Sequence, residues 1–260
     1  MNETKKLYLF ANWKMYLGLE ASYVLAKNIK EELANLNNGI TMAVFPSTLA
    51  LASVAAELKS TTIKVGAQNV YWVPEGGYTG EVSAEMFAAT GAEYALIGHS
   101  ERRHQCHETN HEVRQKIEAA LTAGLTPVIC IGETASEREA GSTAEVIETQ
   151  LRSALGALAW RDGLPLLIAY EPVWAISRGV NKPGGHCSAV EAGKMHAVVE
   201  KIARELTGIA PAVLYGGSVR PETIAEYLAT PHIAGVLVGA AATKFSSWSE
   251  ITAAAVEAWR

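Results

Sequence analysis

Eight short runs of nearly uninterrupted apolar residues recur along the chain, each rich in Val, Ile, Leu, Ala or Tyr. They are residues 7–12, 41–46, 63–68, 94–100, 125–132, 165–172, 212–218 and 235–240. A run without polar alternation predicts a strand covered on both faces, as in a parallel sheet. After almost every run comes an amphipathic, Ala/Glu/Lys-rich stretch of helical period, for example 20–33, 108–124 and 189–206. Thr109 and Ser188 stand where N-caps belong, and Gly124 and Gly208 follow predicted helix ends. After the third run the pattern loosens into the Gly-rich stretch "NVYWVPEGGYTGEV".

Eight strand–helix units over this length predict a single-domain α/β fold, a (β/α)8 barrel spanning residues 1–260. An open doubly wound sheet would carry a Gly-rich phosphate fingerprint after its first strand, and "NWKMYLGLE" is not one. No linker-like or low-complexity segment divides the chain.

Composition narrows the function classes. The chain has 260 residues, 49% of them hydrophobic, and a formal net charge of −5 with no basic stripe, which argues against a general nucleic-acid binder. Its apolar runs are too short to span a membrane, and its first residues lack the apolar core of a signal peptide. Three widely spaced cysteines, Cys106, Cys130 and Cys187, suit a reducing compartment. A cytoplasmic protein is expected, with no nucleic-acid or membrane partner. Cys106 and Cys187 are expected to be incidental thiols, Cys187 exposed in a Gly-rich loop, and Cys130 to be a packing residue.

In barrels of this kind the chemistry lies at the C-terminal strand ends. The polar or small residues there are Asn12, Lys14, Gln68, His99, Ser100, Glu101, Glu133, Glu171, Ser218, Gly239 and Ala240. A cation, an imidazole and several carboxylates at one mouth make an acid–base site. His107 and His111 have the i, i+4 spacing of a helical metal pair, but no third ligand aligns with them, so no metal is expected.

The segments "NWKMY", "GAQNVY", "GGYTGEVSAEM", "LIGHSERR", "CIGET", "YEPVWAI", "LYGGSV" and "VLVGAAA" stand in the order and spacing of one family. Along essentially its whole length the chain resembles the triosephosphate isomerases. The resemblance implies a cofactor-independent isomerase interconverting dihydroxyacetone phosphate and D-glyceraldehyde 3-phosphate in glycolysis and gluconeogenesis. It makes Glu171 the base, His99 the imidazole that polarises the carbonyl, and Lys14 the cation for the anionic substrate. Asn12 is the partner beside Lys14, and Glu101 the supporting carboxylate that pairs with it. Ser177, Ser218, Gly239 and Ala240 bind the phosphate. It further implies a homodimer with its contact loop near 70–82 and a catalytic lid near 173–187.

The chain departs from the family pattern in the lid. The usual Gly-Thr-Gly-Lys after "EPVWAI" is replaced by "SRGVNKPGGHC", with Ser177 and Arg178 in the first two places. Ala240 replaces the second Gly of the strand-8 cradle. The altered lid leaves a four-carbon ketose phosphate such as erythrulose phosphate as the alternative substrate. A Schiff-base aldolase would need a lysine on a late strand, and none is there. A non-catalytic phosphate-binding barrel is the remaining class.

Overall fold

All eight apolar runs are strands in the computed structural model, which describes residues 6–35, 39–176 and 185–259. The strands are β1 Leu7–Asn12, β2 Ile40–Phe45, β3 Lys64–Ala67, β4 Tyr94–Ile97, β5 Thr126–Ile131, β6 Leu167–Tyr170, β7 Ala212–Tyr215 and β8 Gly235–Val238. All pair in parallel in chain order, and β1 closes the barrel on β8, with Tyr8 opposite Gly235 and Ala11 opposite Val238. Around them lie α1 Leu19–Leu33, α2 Thr48–Leu58, α3 Ala84–Ala89, α4 Ser100–Gln105, α5 Asn110–Thr122, α6 Ala135–Glu139, α7 Thr143–Leu155, α8 Ala189–Thr207, α9 Ile224–Leu228 and α10 Phe245–Ala258. Two 3-10 turns, Val173–Ala175 and Ala240–Thr243, follow β6 and β8. No helix among the described residues is long and apolar enough to cross a membrane.

Successive strand residues face opposite sides, and this alternation divides the core in two. Tyr8, Phe10, Phe45, Tyr94, Leu96, Val128, Cys130, Leu167, Ala169, Leu214 and Leu237 fill the barrel interior. Their neighbours, such as Leu7, Leu9, Ala11, Ile97, Ile129, Ile168 and Val236, pack outward among the helices. The Phe10 ring meets Phe45 and Tyr94 at centroid distances of 5.5 and 5.2 Å. Continuing each inward series past the last apolar residue reaches Asn12 from Tyr8 and Phe10, and Glu171 from Leu167 and Ala169. Likewise Gly216 follows Leu214 and Gly239 follows Leu237. The barrel's own pleat therefore directs these four positions to the mouth.

The helix signals in the sequence correspond to real caps. Thr109 and Ser188 each close a capping box, their side chains accepting the N–H of Glu112 and Glu191 while those carboxylates accept in return. Gly208 ends α8 at φ 73°, a left-handed position that favours glycine. Two expectations are corrected. Cys187 is buried, because Tyr227 and Tyr215 pack over that stretch and the Tyr227 hydroxyl donates to the Cys187 carbonyl at 2.7 Å. Burial pushes its thiol pKa up to about 12. His107 and His111 do not share a helix face, because α5 starts at Asn110 and His107 lies before its cap at φ 56°.

Candidate active site

β1 ends at Asn12, and the chain then turns. Trp13 is buried in the outer core, while Lys14 takes a left-handed conformation at φ 48°. A non-glycine residue is held there only when its surroundings compensate. Both of its peptide groups are clamped. The Asn12 Oδ1 accepts the Lys14 N–H at 2.9 Å, and the Gln68 Nε2 donates to the Lys14 carbonyl at 2.8 Å and to the Phe45 carbonyl at 2.9 Å. The turn aims the ammonium into the mouth, where its Nζ meets the Glu101 carboxylate at 2.9 Å. Gly239 lies against the lysine stem, so a Cβ there would come within 3.1 Å of the Lys14 Cε.

His99 is the N-cap of α4, and its Nδ1 accepts the N–H of Glu101 at 3.2 Å. With that lone pair occupied, the neutral imidazole carries its proton on Nε2. The Nε2 lies 3.1 Å from one oxygen of Glu171, and the other oxygen accepts the N–H of Ser100 at 2.8 Å. Glu171 is itself buried. The strands beside it leave no room for side chains: a Cβ on Gly132 would fall 1.8 Å from the Glu171 carbonyl oxygen, and one on Gly216 2.7 Å from its Cγ. The glycines of "CIGET" and "LYGGSV" thus reflect close approach to one carboxylate.

The Ser218 hydroxyl donates to the Ala175 carbonyl at 2.9 Å, joining the loop after β7 to the turn after β6. Ala240 opens the 3-10 turn after β8, a conformation that accommodates a side chain, which explains why this place tolerates losing a glycine. Asn12, Lys14, His99, Glu171, Ser218, Gly239 and Ala240 all line one cavity of about 660 Å³. Ser177 and Arg178 lie outside the described residues, as does 177–184 of the segment 173–187. On its described flank, Trp174 Nε1 donates to the buried Glu133 at 2.7 Å, and the Tyr170 hydroxyl donates to the same carboxylate. Burial raises the Glu133 pKa, against the lowering effect of these donors.

A buried carboxylate touching an imidazole, beside an ammonium and glycine-rich backbone, can exchange a proton with carbon next to a carbonyl. The ammonium and the imidazole N–H are donors for the oxyanion that develops. Residues 7–255 match the family model described as triosephosphate isomerase. The chain belongs to the triosephosphate isomerase family. A triosephosphate isomerase of Citrifermentans bemidjiense is 39% identical over 254 residues, covering 95% of this chain and 98% of that protein. One of Symbiobacterium thermophilum is 41% identical over 249 residues, covering 95% and 96%. The crystal structure of the Bartonella henselae triosephosphate isomerase matches with a TM-score of 0.83 at 30% identity, over 96% of this chain and 98% of that one.

Family motifs account for most of the mouth, and the structure adds residues they do not name. Leu17, Arg220 and Lys244 also line the cavity. Arg220 and Lys244 follow "LYGGSV" and "VLVGAAA" closely enough that extending each motif by a few residues would have found them. Among the described residues, no group of three or more His, Cys, Asp or Glu side chains is disposed to hold a metal ion.

Proposed function

We propose that this chain interconverts dihydroxyacetone phosphate and D-glyceraldehyde 3-phosphate by proton transfer through an enediolate. The observation that carries the reading is the 3.1 Å contact of Glu171 with His99, in the same cavity as Lys14 and the glycines after β7 and β8. The phosphate sits against backbone N–H groups around Ser218, Gly239 and Ala240 and, in keeping with the family pattern, Ser177. Lys14 attracts the dianion. Glu171 removes a proton from the carbon beside the carbonyl, and the electron pair moves onto the carbonyl oxygen. Lys14 and the His99 Nε2–H stabilise that oxygen, and His99 carries protons between the two substrate oxygens. Glu171 then returns its proton to the neighbouring carbon, which completes an isomerisation without net oxidation. Asn12 and Glu101 hold Lys14 in place, and the Glu101 N–H orients the imidazole.

The enzyme works in the cytoplasm, in triose phosphate metabolism, as a homodimer whose contact includes loop 70–82. The Tyr71, Trp72 and Tyr78 rings cluster in that loop, with Tyr71–Trp72 centroids 4.1 Å apart. Large apolar side chains also stand bare in the single chain, Met15 at 96% and Leu49 at 87% exposure. Such exposure supports an interface.

The test is a coupled assay of the purified protein on both triose phosphates and, side by side, on a tetrulose phosphate. The expected result is isomerase activity with the higher kcat/KM for the triose. Absence of turnover on the triose phosphates overturns the reading. No observation favours the four-carbon substrate.

A further inference from the structure

We propose that Arg103 is a positioning residue for the His99–Glu171 pair, its guanidinium fork fixing the peptide that carries His99 and its unpaired charge supporting the pair electrostatically. The inference rests on the isomerase reading above. Arg103 lies on α4, one turn beyond His99, and is half-buried. Its Nε donates to the Gly98 carbonyl at 2.7 Å, and its other two nitrogens donate to the Cys130 carbonyl at 3.2 Å and the Asn110 Oδ1 at 2.7 Å. One planar group therefore ties together the end of β4, the body of β5 and the start of α5. The Gly98 carbonyl belongs to the peptide bond leading into His99. Gly98 stands at φ 74°, and a Cβ there would press on the Arg103 guanidinium at 2.7 Å. The backbone turn that presents the imidazole is thus shaped around this side chain.

The charge is the second half of the argument. All three acceptors are neutral oxygens, and among the described residues Arg103 forms no ion pair. Several other charges around the pair stand in ion pairs. Lys14, from the turn after β1, is paired with Glu101 of α4. Glu108, ahead of α5, is held by Arg102 at 2.7 Å and by Lys116. Cys130 on β5 is a buried thiol whose burial raises its pKa, and His104 on α4 is a half-buried imidazole whose burial lowers its pKa. Arg103, without an ion pair among the described residues, interacts electrostatically with Glu171. Burial lowers its own pKa, while Cys130, Glu108 and Glu171 oppose that shift. A guanidinium stays charged under such burial, where an ammonium would more readily lose its proton. A nearby cation favours the ionised carboxylate that the proposed reaction starts from.

Three measurements on Arg103→Gln and Arg103→Lys test this, with thermal melts to establish folding. For Arg103→Gln we expect kcat to fall about tenfold or more with KM within about threefold, as a misplaced reacting pair does. The acid limb of kcat/KM should also move to higher pH, because Glu171 loses a nearby cation. Arg103→Lys removes the fork, and kcat should stay reduced there. Affinity for inorganic phosphate should be unchanged in both variants, whereas that for an enediolate-like phosphorylated hydroxamate should fall in Arg103→Gln. A folded Arg103→Gln with an unmoved acid limb overturns the electrostatic role. If Arg103→Gln does not fold, Arg103→Lys decides the positional role, and wild-type kcat there overturns it. Wild-type turnover tests the isomerase reading separately, and the two binding measurements need no turnover.

Discussion

Lys14 illustrates how much a single residue discloses. The alternation of faces in "FANWKMY" places Asn12 and Lys14 on one side and Trp13 on the other. The structure reaches that arrangement by a different route, since β1 stops at Asn12 and a left-handed turn delivers the ammonium. The motif was legible, but the turn was not, because part of its support comes from Gln68, just past the end of β3. Arg103 went unnoticed for the same reason: its acceptors are mostly main-chain carbonyls, which carry no trace in the side-chain sequence. Glu171, by contrast, is legible as a carboxylate that ends an apolar run within "YEPVWAI". Glu171→Gln should preserve the shape of the site, since an amide oxygen can still accept the Ser100 N–H, while removing the proposed base. We expect kcat to fall by about a thousandfold or more with inorganic phosphate affinity retained. A variant keeping a tenth of wild-type kcat would remove Glu171 from that role.

At the scale of elements, the local signals were the reliable ones. The capping boxes at Thr109 and Ser188 were readable because a cap and its third residue are neighbours in sequence. The burial of Cys187 was not, because it depends on Tyr215 and Tyr227 brought from elsewhere in the chain. Helix α8 also buries His196, whose Nδ1 lies 3.2 Å from the His232 carbonyl and whose ring packs edge-on to Tyr170 at 5.9 Å. Burial lowers its pKa to about 4. An unfolded chain takes up this proton near pH 6.5, and the folded chain only near 4. Stability from this group is therefore full at neutral pH and is lost as pH falls through that window, by about 3 kcal/mol at most. His196→Gln removes the titration and keeps a donor for the carbonyl. The Tm difference between pH 7 and pH 4 should be smaller in His196→Gln than in the wild type. Equal differences would show that His196 does not titrate in this way.

For the whole molecule, eight strands in chain order were foreseeable because each strand carries its own covering pattern, and a closed parallel barrel uses every one alike. Association was less legible. The aromatic loop was visible in "NVYWVPEGGY", but Met15 and Leu49 look like ordinary core residues until the fold leaves them bare. Sedimentation equilibrium at micromolar concentration should give twice the 27.8 kDa chain mass, and Tyr71→Asp with Trp72→Asp should shift the species toward monomer. A wild-type monomer that retains full activity would refute the dimer. The pairing of β1 with β8 has a further consequence. In a ring whose spatial order is its chain order, no strand is first, and the mouth does not depend on where translation begins. A circular permutant with its ends joined by a flexible Gly/Ser linker, and new termini opened at the exposed Asp162–Gly163 before β6, should therefore assemble the same barrel. Such a chain would synthesise Glu171 first, then Lys14, and His99 last. Its refolding rate, compared with that of the parent, would report whether the order of connection along the chain matters to closing the ring.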